Sequence, residues 1–230
     1  MIEMSAVLEG LDHYGKTYKI NPVVSSAVLK LSNAIANIRN SVEELATLLG
    51  QVTIETQWFK RADENLKYTT IERVRAVFPT KTKNHPDSHI MAMLNNEVLL
   101  ANTVYDGMLG NSSPGDGYSF RGRGLFCHTG RYNYIFLAKT FTPELVRLIP
   151  GWTEQDAKGM KELSTLPNLV ATDPEVMAAC ALTYWESKCP GEISCRIATK
   201  AITGSQIALS ERTTATNFWR KQLGVKRAST

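Results

Sequence analysis

Six glycines fall within the 18 residues from Gly107 to Gly124. A helix across such a stretch would have to remove the backbone freedom that each glycine adds, so tight turns and close backbone approach are favoured instead. An irregular segment of this length is a candidate binding loop. Much of the rest of the chain reads as helix. Asn21-Pro22 opens one that runs to Ile38, with Leu29, Leu31, Ile35 and Ile38 apolar. Ser41-Val42-Glu43-Glu44 fits the capping box, and Leu45, Leu48, Leu49, Val52, Thr56 and Phe59 follow it at helical spacing. Further helices are expected over Ser88 to Asp106, from Asp173-Pro174 to about Lys188, and over roughly Ser210 to Leu223. No internal repeat or low-complexity linker interrupts them. The expected architecture is a single, mainly helical domain with a loop-lined cleft.

Composition narrows the function classes. Hydrophobic residues make up 43% and charged residues 21% of the 230-residue chain, as in ordinary globular proteins. No apolar run is long enough to span a bilayer, so no membrane insertion is expected. Met1 to Gly10 carries Glu3 and Glu9 and no basic leader, which predicts no secretory signal and synthesis in a cytoplasm. A net charge of +4 favours approach to a polyanion, either nucleic acid or an acidic cell wall, or simply solvates the surface. The basic residues are scattered, apart from the short run Lys226-Arg227. The four cysteines (Cys127, Cys180, Cys189 and Cys195) contain no CxxC pair, so no zinc or thioredoxin-type site is expected, and no metal or cofactor. Cys189 and Cys195 are near enough in sequence to bridge, whereas a chain without a signal peptide emerges with free thiols. That pairing stays open.

Two carboxylates stand out. Counting by threes and fours from Leu48 gives Val52, Glu55 and Phe59, which places Glu55 on an apolar helix stripe close to the helix C-terminus. Desolvation there would raise its pKa and keep a proton available for the leaving oxygen of a glycoside. The alternative is a boundary glutamate that reaches solvent or pairs with Arg61. Glu64 follows nine residues later, beyond a helix exit. Two carboxylates facing each other at roughly 6.5–9.5 Å would leave room for an attacking water. Taken alone, Glu64 reads as a surface acid.

At this point the residues carry a resemblance. Glu55-Thr56 to Phe59 is similar to a His-Glu-Ser/Thr-Gly-Gly-Phe motif, and Glu64-Asn65-Leu66-Lys67-Tyr68 to Glu-Asn-Leu/Phe-Asn-Tyr. A third stretch runs through Ala101-Asn102-Thr103-Val104-Tyr105, Gly110-Asn111, Gly115-Asp116-Gly117 and Arg121-Gly122-Arg123-Gly124-Leu125 to Thr129-Gly130-Arg131-Tyr132-Asn133-Tyr134. The weaker fourth is Ile202-Thr203-Gly204-Ser205 with Arg212 downstream. In this order they resemble glycoside hydrolase family 19, in the bacteriophage-endolysin branch of that chitinase-like family, over about residues 40 to 220. The departures are Ile54 for the family's histidine, Gln57 and Trp58 for its two glycines, Cys127 for a glutamine, and Thr203-Gly204-Ser205 for Asn-Gly-Gly.

The resemblance implies a lysozyme-like, two-lobed, mainly helical fold. Residues 1–230 would form one catalytic domain, with 1–20 as an N-terminal extension and no separate wall-binding module. It implies an inverting muramidase-type hydrolase that cuts the β-1,4 bonds of peptidoglycan during host lysis. Glu55 would be the general acid, Glu64 the general base, and Thr129 would help place the water. Trp58, Asn65, Tyr68, Arg121, Arg123, Asn133 and Arg212 would bind sugars or shape the cleft. A monomer is expected, made in the host cytoplasm and acting on the wall in the periplasm, with a holin for export. The rival readings are a chitinase on N-acetylglucosamine polymers and a wall-binding or virion-structural protein that has lost turnover. A nucleic-acid binder built on the single Arg-Gly-Arg-Gly is weak beside repeated arginine-glycine segments, so no nucleic-acid partner is expected.

Overall fold

Three helices open the chain: α1 (Met4–Gly15), α2 (Pro22–Ile38) and α3 (Val42–Glu55). The computed structural model describes residues 2–224, so Lys226-Arg227 lies outside the described residues. Helix α3 is buried at every position from Glu44 to Thr53. A helix enclosed on all sides belongs to the centre of a domain rather than its surface. The stripe expected from the sequence is therefore only part of what this helix buries.

The start of α3 is capped, though differently from the capping box expected. Ser41 Oγ accepts from the Glu44 backbone N–H at 3.1 Å. The Glu44 side chain does not return to the cap. It is fully buried, accepts from Arg39 Nε and Nη2 at 2.7 and 2.6 Å, and accepts from Trp185 Nε1 at 2.9 Å. Arg39 also pairs with Glu186. A buried carboxylate has to be matched in this way, because an unpaired one loses its hydration without return. The cluster fastens the end of α2 and the start of α3 to the later helix that carries Trp185.

A smaller lobe follows, made of α4 (Ile71–Val77), α5 (Pro79–Thr82), α6 (Asp87–Met93) and α7 (Glu97–Tyr105). It has its own core of Leu66, Val74, Ile90, Met93, Leu100, Ala101 and Val104. The single helix expected over Ser88 to Asp106 is two helices. Asn95 is left-handed at φ +57, and the Asn96 side chain caps α7 by accepting from Leu99 N–H at 3.0 Å. Asparagine suits both tasks, because its short amide tolerates a left-handed backbone and satisfies free helix amides.

The glycine-rich stretch contains one short turn of helix, α8 (Asp116–Ser119). The Asp116 carboxylate accepts from Ser112 and Ser113 N–H at 2.9 and 3.0 Å and from Arg131 Nε at 2.8 Å. Gly117 is required by close approach: a Cβ there would lie 2.5 Å from the Ala101 carbonyl oxygen of α7.

Seven helices complete the described residues: α9 (Arg131–Thr140), α10 (Pro143–Val146), α11 (Glu154–Lys161), α12 (Leu166–Thr172), α13 (Pro174–Lys188), α14 (Cys195–Thr203) and α15 (Leu209–Gln222). Helix α13 starts as its sequence predicts, with Asp173 accepting from Val176 N–H at 3.0 Å and Pro174 in the first turn. It packs on α2, while α15 packs along α3. The stretch read as an N-terminal extension carries the helix α1. Its Val7 and Leu11 are buried, and a Cβ on Gly10 would fall 2.2 Å from the Trp219 ring. No strand forms among the described residues, only the isolated bridges Asp63–Arg123 and Arg123–His128. All four cysteines are free thiols. No described helix is long and apolar enough to cross a membrane.

Two predictions follow from the packing. At the α3–α15 contact a Cβ on Gly50 would meet Thr216 Oγ1 at 2.1 Å and its Cα at 2.8 Å, so backbone would have to move. Gly50→Ala is expected to cost about 1–3 kcal/mol, read as a lowered Tm. The second concerns His128, enclosed beside Phe126 and Tyr184 with Nε2 lacking any partner among the described residues. Burial pushes its imidazole down to about 4. Its folded pKa is depressed, so the unfolded chain binds the proton first and stability falls as pH drops from roughly 6.5 towards 4. Urea unfolding at pH 7 and pH 4.5 should show a loss of about 2 kcal/mol that His128→Leu removes. Equal pH dependence in parent and variant would refute the assignment.

Candidate active site

The site is built where α3 ends. Thr56 Oγ1 donates to the Val52 carbonyl at 2.7 Å and accepts from Phe59 N–H at 3.0 Å. Between them the backbone is left-handed at three successive residues, Gln57, Trp58 and Phe59, with φ of 51, 61 and 61. Non-glycine residues adopt this conformation at a cost of about 1–2 kcal/mol each. Gln57 and Trp58 are the two positions where the related motif carries glycine, and the left-handed backbone is the physical reason for glycine there. The turn returns Phe59 to the core, fully buried, and leaves Glu55 at the helix end.

Glu55 is not sealed in an apolar pocket. Its side chain keeps 15% exposure and accepts from Arg212 Nη2 at 2.6 Å. This corrects the expected surroundings of Glu55: an ion pair with Arg212 stands where apolar burial was expected. The alternative partner also differs, because Arg61 Nε donates to Gln57 Oε1 at 3.1 Å. Arg212 is 4% exposed, reaches from α15, and donates through Nη1 to Gln51 Oε1 at 2.8 Å and through Nε to the Ile207 carbonyl at 3.2 Å. A guanidinium held on three sides presents a fixed fork to the carboxylate.

Glu64 comes from a short paired segment. Its N–H donates to the Gly122 carbonyl at 2.8 Å, and Gly124 N–H donates to the Ala62 carbonyl at 2.8 Å. Arg123 and His128 exchange both backbone bonds, at 3.2 and 2.8 Å. Tyr105 OH donates to Glu64 Oε1 at 2.6 Å, and Gly122 N–H donates more weakly to Oε2 at 3.4 Å. Burial nevertheless raises the Glu64 pKa, with the Tyr105 and Gly122 bonds and the Arg121 charge acting against it. Tyr105, absent from the site expected from the sequence, is thus the closest partner of the second carboxylate. It stood inside the third motif, where its hydroxyl had no visible target.

Both carboxylates line one cavity of about 250 Å³, together with Gln57, Arg61, Asn65, Tyr68, Arg123 and Cys127. Gly122 lines it where several side chains converge. A Cβ there would lie 2.4 Å from Cys127 Sγ, 3.1 Å from Thr129 Oγ1 and 3.4 Å from Glu64 Cβ. Thr129 therefore stands close behind the cavity wall, its hydroxyl donating to the Cys127 carbonyl at 2.9 Å. Burial first, and then the charges of Glu64 and Glu55, push the Cys127 thiol up to about 12, so it stays neutral between the two carboxylates.

The other expected residues divide. Asn65, Tyr68 and Arg123 line the cavity, and Arg212 holds Glu55. Asn133 Nδ2 donates to the Thr129 carbonyl at 2.6 Å and steadies the loop from behind. Arg121 stacks on Tyr118 at 4.2 Å and pairs with Asp63 at 3.1 Å. Arg123 is 8% exposed and donates to the Ser119 carbonyl at 2.6 Å. Both arginines of Arg-Gly-Arg-Gly are thus engaged within the chain. Trp58 is placed elsewhere: it stacks on Tyr18 and lines a separate cavity of about 430 Å³ with Tyr14, Ile54 and Phe218.

Comparison with known proteins bears on family and fold. No family model matches the chain. A glycosyl hydrolase family 19 domain-containing protein of Haemophilus influenzae is 29% identical over 178 residues, covering 73% of this chain and 74% of the relative. The crystal structure of a chitinase C mutant superposes with a TM-score of 0.54 over 94% of this chain and 93% of that one, at 16% identity, which establishes a shared fold. The chain is thus similar in sequence to a glycosyl hydrolase family 19 domain-containing protein, with motifs in the same order, and it shares its helical fold with a chitinase.

Proposed function

We propose that this glycoside hydrolase is a phage endolysin of muramidase type, cutting β-1,4 bonds between the amino sugars of peptidoglycan with inversion. The observation that carries the reading is the pair of carboxylates on one polar cavity, Glu55 from the end of a buried helix and Glu64 from the paired segment next to the small lobe. In this reading Glu55 protonates the leaving oxygen, Glu64 takes a proton from water, and Thr129 helps to place that water. The Arg212 fork keeps Glu55 in position in the free protein. Asn65, Tyr68, Arg121 and Arg123 contact sugars, whereas Asn133 acts by holding Thr129 and Trp58 lies outside the cleavage point. The nine-residue interval between the acids resembles the endolysin branch more than the plant chitinases, and that resemblance favours peptidoglycan over chitin. The biological setting completes the proposal: a monomer made in an infected bacterium that reaches the wall with the help of a holin.

One observation favours a second assignment within the same chemistry. Burial raises Glu64, while Glu55 faces a guanidinium, which would suit exchanged roles. Nitrophenyl oligosaccharides separate the two, because a good leaving group needs no acid. With Glu55 as acid, Glu55→Gln keeps turnover on the nitrophenyl substrate but loses at least about 100-fold on glycan strands, and Glu64→Gln loses both. The reverse pattern assigns the acid to Glu64. Faster cleavage of soluble chitin oligomers than of purified sacculi would overturn the peptidoglycan preference.

A base must be ionised to act. With its pKa raised, Glu64 places the acid limb of the rate profile above the usual carboxylate range. Tyr105→Phe removes a donor that stabilises the charged form and should move that limb further up in a pH–rate measurement of kcat/KM.

A further inference from the structure

A second cavity, of about 500 Å³, adjoins the first and shares Arg123 with it. Residues from three parts of the chain line it, among them Tyr118 and Ser119 of α8, Arg131 of α9, Ser164 just before α12 and Asn168 in its first turn. None of these helix segments contributes to the Glu55–Glu64 cavity. An unbranched sugar polymer calls for a groove that follows the strand, and a lateral cavity of twice the volume beside the cleavage point gives it nothing to fill. A strand that carries side branches needs such a space.

The chemistry of the lining indicates what kind of branch. Ser119, Ser164 and Asn168 offer hydroxyl and amide groups suited to peptide bonds. Two guanidinium groups face the same space, and the one acid, Asp116, is engaged by Arg131 and by the Ser112 and Ser113 amides. That leaves the lining with one positive charge. Arg123 bonds to the Ser119 carbonyl through Nη1 and is held at the junction of the two cavities. We propose that this second cavity receives the acidic peptide that branches from the amino-sugar strand, with Arg123 at the point where strand and branch part. The inference rests on the peptidoglycan reading and makes the peptide, as well as the sugar, a determinant of specificity.

The test compares intact peptidoglycan strands with strands stripped of their peptides by an amidase, using the full-length protein. The parent should cut intact strands with kcat/KM about tenfold or more higher, through KM, as expected for a charge-assisted contact to a peptide carboxylate. Ser164→Trp and Asn168→Trp fill the cavity from exposed positions. They should abolish that preference and leave the rate on stripped strands close to the parent's. Muramyl dipeptide should bind the parent in calorimetry and fail to bind Ser164→Trp. Equal rates of the parent on intact and stripped strands would overturn the inference, as would a parallel loss on both in the two variants. If the parent cuts neither strand yet cuts chitin oligomers, the peptidoglycan reading itself has failed.

Discussion

The structure depends on the complete burial of α3 against α15. A glycine at the crossing, Gly50, lets the two backbones approach within side-chain contact of Thr216. One turn before Thr216 stands Arg212, which the same approach brings onto Gln51 and Glu55. Core packing and the geometry of the first carboxylate are therefore one arrangement. The buried Glu44 cluster fixes the other end of α3 to α2 and α13, so the helix cannot slide along its axis without breaking a matched charge.

The second carboxylate rests on weaker means. Glu64 sits on a few backbone hydrogen bonds between residues 62–64 and 122–124, with a further turn at 123–128. Glycine makes this possible at Gly122, where Glu64, Cys127 and Thr129 converge and where a side chain would need their space. The glycine-rich stretch thus has two uses: Gly117 lets the loop touch α7, and Gly122 lets the site residues touch one another.

Much of the site was legible because it follows local rules. The helix leading to Glu55 has an N-cap and periodic apolar residues, and the order of motifs placed Glu64, Asn65, Tyr68, Arg123 and Thr129 near one another. Tyr105 and Trp58 show the limit. Tyr105 lies 41 residues from Glu64 in sequence and meets it only because the small lobe folds back, a contact with no local signature. Trp58 is one residue from Gln57, which lines the cavity, but the left-handed turn sends the tryptophan to Tyr18 on the opposite side. Neighbouring positions in such a turn diverge, and their identities do not reveal the direction.

By itself, the sequence determined that this protein is helical, where α2, α3 and α13 begin, and that a glycine-dense loop interrupts them. Caps, periodicity and glycine act over a few residues and can be read from a string. Tertiary structure decided that residues 4–15 form a packed helix, that the expected helix over 88–106 is two, and that Glu55 pairs with Arg212 instead of lying in an apolar pocket. Those outcomes depend on which distant surfaces meet. A charge's environment is set by partners up to 157 residues away, and no local pattern records them.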